Sequence, residues 1–374
     1  MAKVLVLGGG FAGVVAAESL AKKLGTEHDI TLVSRNRRFL FYPALVRLAF
    51  GECEADDIEF DLREAMLDRR VRFVRGEVAR IYPAERLITF AHGDLVGEMP
   101  YDYLLLAVGR RLATERVTGF FENAHHLLDV DDAKKFGAAV RSLSFGRAVI
   151  GHCQDARLPI PVFETAFALS TSLKEKGVRE QCQISIASTE DLDAMFGLSI
   201  AKELTVAMRS HGIEFVADFP IVKITAESVI AGNGRSLACD LNMIVPPFSG
   251  PGVFVGTAIT DAEGYARVDS TMRVKDVERV YAAGDCVSFP GPKLGHMAVR
   301  QAEVAAENLA SEIHGRPLSA TYNHEMMLVI EASGIDSIFV HKKFWTSDEP
   351  NIKQGRFWAW AKHIQEKYWK AKHN

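Results

Sequence analysis

The stretch AKVLVLGGGFAGVVAAES at residues 2–19 constrains this chain more than any other. A short apolar run, Val4 to Leu7, leads straight into Gly8-x-Gly10-x-x-Gly13, and an alanine-rich segment follows. Strand, tight turn and helix in that order build a phosphate cradle. Gly8 permits the bend, Gly10 lets a diphosphate approach the backbone, and Gly13 lets helix and strand pack closely. Free N–H groups at the helix start then face the anion. The spacing predicts a dinucleotide-binding unit at the amino terminus.

With 374 residues, 48 % of them apolar and 25 % charged, the composition is that of a globular protein with room for two or three domains. No uninterrupted run of 18 apolar residues occurs, so no bilayer span is expected, and the amino terminus reads as a strand rather than a signal peptide. The cysteines at 53, 153, 182, 239 and 286 show neither CxxC nor metal-ligand spacing. A reducing compartment and no metal site are the expectations. A net charge of −4 argues against nucleic acid as a partner.

Strand-like and helical runs alternate through the first 310 residues, which predicts an α/β fold with parallel sheets. VRFVRGEVARIYPAERLITF reads as an antiparallel excursion around a Pro-Ala-Glu turn, and YDYLLLAVGRR as a buried strand ending in Gly109. A second βαβ-like unit starts at GRAVIGHCQ, with its strand expected over 148–150 and its helix over roughly 162–176. Further helices are expected over 199–212 and 297–314, and a strand over 213–216.

The second crossover departs from the first. Where a second glycine turn would stand, the chain reads Gly151-His152-Cys153-Gln154-Asp155-Ala156. Side chains at the former glycines block backbone approach, and an unpaired Asp155 would repel a diphosphate. One dinucleotide site is therefore expected; a nucleotide held by a different contact set is the alternative.

Six further stretches are informative: ITLVSRNRRFLFYPAL, IGHCQDARLPIPVFET, MIVPPFSG, VYAAGDC, PKLGHM and the closing FWAWAKHIQEKYWKAKH. Together they resemble the flavoproteins that carry two dinucleotide-binding domains, and among these the sulfide:quinone oxidoreductase branch, with type II NADH dehydrogenases as nearest relatives. The resemblance implies two Rossmann-like domains plus a C-terminal membrane or interface module. Its parts would be an FAD-binding domain over 1–110 and 246–315, a second Rossmann-like domain over 111–245 with a degenerate NAD motif, and the module over 316–374. It implies bound FAD, contacted by Gly8, Gly10, Phe11, Ala12, Gly13, Ser34, Arg35, Val78, Gly109, Gly284, Asp285 and Lys293. In such proteins the aspartate after the late strand, here Asp285, accepts from ribitol hydroxyls.

Ser34 stands where a ribose-binding carboxylate is usual, as the sulfide branch commonly has it, and Lys293 and Gly295 match that branch's Pro-Lys-x-Gly stretch. The reactive cysteines do not match. Leu158 occupies the position of the first, a further one falls near Leu128-Asp129, and no cysteine follows Cys286. Leucine cannot replace a thiolate that must hold a persulfide, so the standard sulfide chemistry is not expected.

The resemblance places Glu164 near the flavin, where a carboxylate of raised pKa would relay protons to a quinone. Complementing a helix dipole is its alternative role. Lys293 is the other catalytic candidate, as a hydrogen-bond donor to flavin or quinone; a solvated surface lysine is the competing reading. His296 and Gln301 lie in the quinone-contacting stretch of NADH-branch relatives, and a satisfied histidine at a helix start is the alternative for His296.

The last 34 residues carry eight Lys/Arg against three Asp/Glu and all four tryptophans, Trp345, Trp358, Trp360 and Trp369. Phe357, Trp360, Ala361, Ile364 and Tyr368 recur at helical spacing over 356–370, with Lys362, Glu366, Lys367 and Lys370 on the remainder. Such a helix suits a membrane surface, its lysines attracting anionic lipid. A dimer contact, or packing on the body, is the alternative. The expectation is an FAD enzyme on the cytoplasmic face of the membrane, passing two electrons from a small-molecule donor to a quinone, with NAD(P)H as the alternative donor. A flavin-bearing subunit whose tail binds a partner protein is the reading of another class, and a homodimer is compatible with either.

Overall fold

The computed structural model describes residues 1–94, 96–331, 337–345 and 350–373. The chain begins with β1 (Lys3–Leu7), α1 (Phe11–Leu24) and β2 (Asp29–Ser34). There follow β3 (Arg72–Tyr82), β4 (Leu87–Gly93), β5 (Gly97–Pro100) and β6 (Tyr103–Leu106). The middle of the chain supplies β7 (Gly146–His152), α2 (Ile160–Glu175), β8 (Cys182–Ala187), α3 (Leu198–Ser210), β9 (Ile213–Val216) and β10 (Leu241–Val245). It closes with β11 (Val280–Ala282), α4 (Gly295–Ile313), β12 (Glu325–Ile330), β13 (Ile338–Lys343), β14 (Asn351–Gln354) and α5 (Arg356–His373).

Two parallel sheets carry the α/β architecture. The first runs in the order β11-β6-β1-β2-β3-β4-β5, parallel from β11 to β3 and antiparallel beyond. The excursion read from residues 71–90 is thus the antiparallel wing of this sheet. Leu5, Val6, Leu7, Leu104, Leu105 and Leu106 are all at most 2 % exposed, because strands covered on both faces need continuous apolar runs. The second sheet is all parallel in the order β9-β8-β7-β10. β7 is longer than the expected 148–150, since His152 still pairs with Val245 of β10 and so belongs to the sheet, not to the turn.

β12, β13 and β14 form an antiparallel sheet next to α5. Met326, Leu328, Ile330, Ile338 and Val340 of this sheet join the apolar core around α2 and the second sheet. The end of α5 packs instead on the first sheet's core, through Trp369. The helix begins where expected but runs to His373, past the 370 read from periodicity.

Candidate functional site

Three neighbouring strands of the first sheet end level with one another: Leu7 of β1 pairs with Leu106 of β6, which pairs with Ala282 of β11. Each strand then enters a glycine with positive φ, Gly8 (110°), Gly109 (73°) and Gly284 (83°). The crevice at the carboxyl ends of such strands is where α/β sheets bind ligands. A Cβ on Gly13 would lie 1.7 Å from the Gly8 carbonyl oxygen, and one on Gly8 2.1 Å from that of Ala107, so both glycines are steric requirements. A Cβ on Gly10 would meet nothing within 4 Å: the side of the turn it faces is open.

Gly10 is the N-cap of α1 and contributes no side-chain cap, and the first turn carries no acidic residue. Uncapped N–H donors beside open space suit an anionic diphosphate. The residues here therefore fit FAD. Ala12 is buried behind the turn, while Phe11 packs edge-on against Phe39 and Phe41 with centroids 5.1 and 5.4 Å apart. Ser34 is buried at the end of β2 and Arg35 is exposed beyond it. Val78 is half-buried on β3, at a register shift against β4.

Asp285 follows Gly284, whose N–H donates to Gln301 Oε1 at 2.7 Å, so buried Gln301 of α4 fixes this turn. Asp285 is ion-paired with Arg110, a residue the sequence reading passed over although it follows Gly109. Arg110 lies 4.0 Å above the Phe248 ring and 5.5 Å from that of Tyr42. Lys293 is buried, contrary to the surface alternative: its ammonium donates to the Val287 carbonyl and stands 4.6 Å over the Tyr265 ring. Burial, with the Arg157 charge adding to it against Asp285, pulls its pKa down to about 7. His296 is a satisfied helix-start residue. Its Nε2 accepts from the Met327 N–H at 3.0 Å, and burial takes its pKa to about 4.

Glu164, expected near the flavin, is paired with a lysine of the C-terminal helix. It is fully enclosed at the start of α2, and its Oε1 accepts from Lys362 Nζ of α5 at 2.7 Å. Lys362 also pairs with Glu331 at 2.9 Å, and His363 reaches the other Glu331 oxygen at 3.3 Å. Burial raises Glu164 against the pull of Lys362. Burial would raise Glu331 too, but His363 and Lys362 outweigh it and bring the carboxyl to about 2. Two carboxylates thus hold Lys362 protonated despite its burial.

This pairing corrects the picture of the tail helix. Lys362 and Lys370, expected to meet lipid headgroups, turn to the protein, Lys370 pairing with Asp57 at 3.6 Å. Glu366 is buried on Arg47 at 2.8 Å. Trp369 stacks on Phe39 with centroids 5.8 Å apart and Trp358 on Phe339 at 4.2 Å, so both face inward. The apolar stripe is what solvent sees: Phe357, Trp360, Ile364 and Tyr368 are 60, 58, 43 and 67 % exposed. Residues 346–349 and 374 of the basic tail lie outside the described residues.

At the second crossover, His152 is buried and hydrogen-bonded through Nε2 to Ser188 Oγ at 3.1 Å. Pro159 caps α2 and Pro161 sits in its first turn, so two of the N–H donors a phosphate would need are missing. Asp155 is not unpaired as expected; it has φ 63° and lies 3.3 Å from Arg116. The lost donors and the buried His152, rather than bare repulsion, set this turn apart from the first. Leu158 packs against the core of this second unit. Cys153 and Cys286 are both buried with pKa values pushed up to about 12 by that burial, which is the environment of inert thiols.

With this geometry in place, comparison with known proteins is informative. The model of the pyridine nucleotide-disulphide oxidoreductase family matches residues 2–152 and 164–302. Sulfide-quinone reductase of Aquifex aeolicus is 25 % identical over 341 residues, covering 85 % of this chain and 78 % of its own length. A type II NADH:quinone oxidoreductase of Staphylococcus saprophyticus is 23 % identical over 343 residues, covering 84 and 83 %. The crystal structure of the Aquifex aeolicus sulfide:quinone oxidoreductase superposes with a TM-score of 0.92 at 24 % identity, over 100 % of this chain and 92 % of that one, a likeness of fold. The chain belongs to the pyridine nucleotide-disulphide oxidoreductase family, as an FAD-dependent oxidoreductase.

Proposed function

We propose that this protein carries two electrons from a small reductant to a quinone, without a cysteine persulfide on the chain. One observation carries the reading. The open glycine turn of α1 stands level with Asp285 in a single crevice, while the second βα turn carries a buried His152 and lacks N–H donors at Pro159 and Pro161. FAD, when bound, stores the electron pair between donor and acceptor. The chain's own groups do the rest. Gly8, Gly10 and Gly13 shape the cradle with Phe11 and Ala12, and Ser34, Arg35 and Val78 border its adenosine end. Gly109, Gly284 and Asp285 line the crevice. Quinone reduction takes up two protons, and Lys293 Nζ, with its pKa near 7, can release and regain one at neutral pH. Glu164, its proton affinity raised by burial against the pull of Lys362, serves as a second proton holder.

Relatives named as quinone reductases in both the sulfide and the NADH branch support this assignment. We assign residues 1–110 and 246–315 to the FAD-binding domain, 111–245 to the second Rossmann-like domain and 316–374 to the interface module. No helix among the described residues is long and apolar enough to cross a membrane. The outward stripe of α5 is the surface that meets the bilayer, as a peripheral contact on the cytoplasmic face, or in its absence a second copy of the chain. Anaerobic stopped-flow of the purified yellow protein tests the reading: the oxidised protein is mixed separately with NADH and with sulfide, and dithionite-reduced protein with a short-chain quinone. Rapid reoxidation of the reduced protein by quinone is expected, with no rapid reduction of the oxidised protein by sulfide. Prompt bleaching by NADH would favour a nicotinamide donor docked through other contacts, and bleaching by sulfide would overturn the assignment of Leu158.

A further inference from the structure

Around Asp285 the crevice gathers more cations than the described residues neutralise. Arg110 leaves the end of β6 with its side chain 12 % exposed and fixed on three sides, by Asp285, by the Phe248 ring and by Tyr42. Asp285 engages only Nη1. The side-on fork of the guanidinium, Nε with Nη2, is left over, and Nε is buried with no hydrogen-bond partner among the described residues. A buried N–H without an acceptor is rare in a folded protein and calls for a missing partner.

The neighbouring charges sharpen this. Arg157 and Arg110 both stand close enough to Lys293 to add to the positive field there. Arg157 gives its N–H groups to the carbonyls of Gly291, at 3.0 Å, and Phe289, which satisfy hydrogen bonds but cancel no charge. Its one ion-pair partner among the described residues, Glu263, is 4.0 Å away and 72 % exposed, where an ion pair counts for little. Among the described residues, the three enclosed cations Arg110, Arg157 and Lys293 therefore gather around the enclosed carboxylate of Asp285. The loop that bears Arg157 also holds Phe248 and Lys293 in place, since Asp155 O accepts from Phe248 N at 3.1 Å and Arg157 O from Lys293 N at 2.7 Å.

We propose that Arg110 receives the electron donor, and that this donor is a small carboxylate-bearing reductant held side-on by the Nε/Nη2 fork. A planar guanidinium pre-set on an aromatic face matches a carboxylate with two parallel hydrogen bonds, where a lysine would offer only a point charge. The size limit follows from the second turn, where Pro159 and Pro161 remove N–H donors that a nicotinamide diphosphate would need. The proposal rests on the quinone-reductase reading and names the donor class that reading leaves open. The donor leaves oxidised by two electrons, which pass to the quinone together with two protons.

The test uses oxidised protein with its flavin bound, titrated with sodium oxalate as a non-reducing dicarboxylate against sodium chloride of equal ionic strength. A saturable change in the flavin absorption band is expected for the wild type. In R110Q, purified with the same flavin content, the affinity falls at least tenfold, and in R110K it falls by an intermediate factor because charge remains without the fork. No saturable change in the wild type, or an undiminished one in R110Q, overturns the proposal. So does an R110Q protein that has lost its flavin, since Arg110 would then hold the cofactor. A wild-type protein that binds no flavin at all strikes instead at the quinone-reductase reading, and this proposal falls with it.

Discussion

Lys362 on the last helix and Glu164 near the start of α2, 198 positions apart in sequence, meet at 2.7 Å inside the protein. The pair, joined by Glu331, fastens the C-terminal helix to the second Rossmann-like unit by its polar side. That arrangement leaves the apolar side of the helix free to face outward.

Removing the cation should therefore loosen the tail. In K362M, Glu164 and Glu331 stay enclosed with their shared partner gone, a loss of about 3–5 kcal/mol for a broken buried pair. A lower melting temperature and faster proteolysis within residues 356–373 are expected. Pairing K362M with E164Q should restore part of the loss, because the neutral amide needs no counter-charge. A K362M protein as stable as wild type would show that the pair is not a fastening.

Lys293 makes stability depend on pH in a defined sense. Its folded pKa of about 7 lies below the usual 10.5, so between these values the unfolded chain binds the extra proton. Flavin-free protein should gain stability through this group as pH rises from 7 toward 10, by at most about 1.4 kcal/mol per unit. K293M should be the more stable protein at pH 6, with the advantage closing toward pH 10. Denaturant midpoints measured at five pH values would show this convergence; parallel curves would contradict it.

The three glycines of the first turn should separate folding from cofactor binding. G13A drives a Cβ into the Gly8 carbonyl and should abolish soluble protein. G10V should fold, as its side chain meets no protein atom at Cβ, yet bind FAD at least tenfold more weakly because it fills the approach to α1. Flavin content and far-ultraviolet melting of the same preparations distinguish the two effects.

The outward stripe of α5 should govern membrane association without supporting the fold. W360E combined with I364E places two carboxylates on side chains already exposed, so the melting temperature should stay within about 1 °C of wild type. Flotation with anionic vesicles should fall several-fold. Unchanged flotation would move the stripe to another partner.

The glycine turn, the alternating α/β order and the antiparallel wing were legible because each is a local pattern: a backbone requirement or a periodicity of two or 3.6. The tail was half legible. Its stripe of Phe357, Trp360, Ile364 and Tyr368 came from spacing alone. The inward turn of Lys362, Glu366 and Lys370 could not, since their partners Glu164, Arg47 and Asp57 are more than 180 residues away. Asp155 was misread for the same reason, its partner Arg116 lying 39 residues earlier. Arg110 left one overlooked clue, an arginine directly after a glycine that ends a buried strand. Its meaning depends on Asp285, which the sequence places 175 residues later.

The seventh strand of the first sheet, β11, is delivered very late. Its partner β6 is complete at residue 106, whereas β11 spans 280–282. A chain emerging from the ribosome thus carries an unpaired β6 edge throughout synthesis of the whole middle unit. Such an edge is a template for pairing with other strands. The middle unit can assemble from its own contiguous strands during that interval, and the cofactor crevice, which needs Gly284 and Asp285, exists only after it has done so.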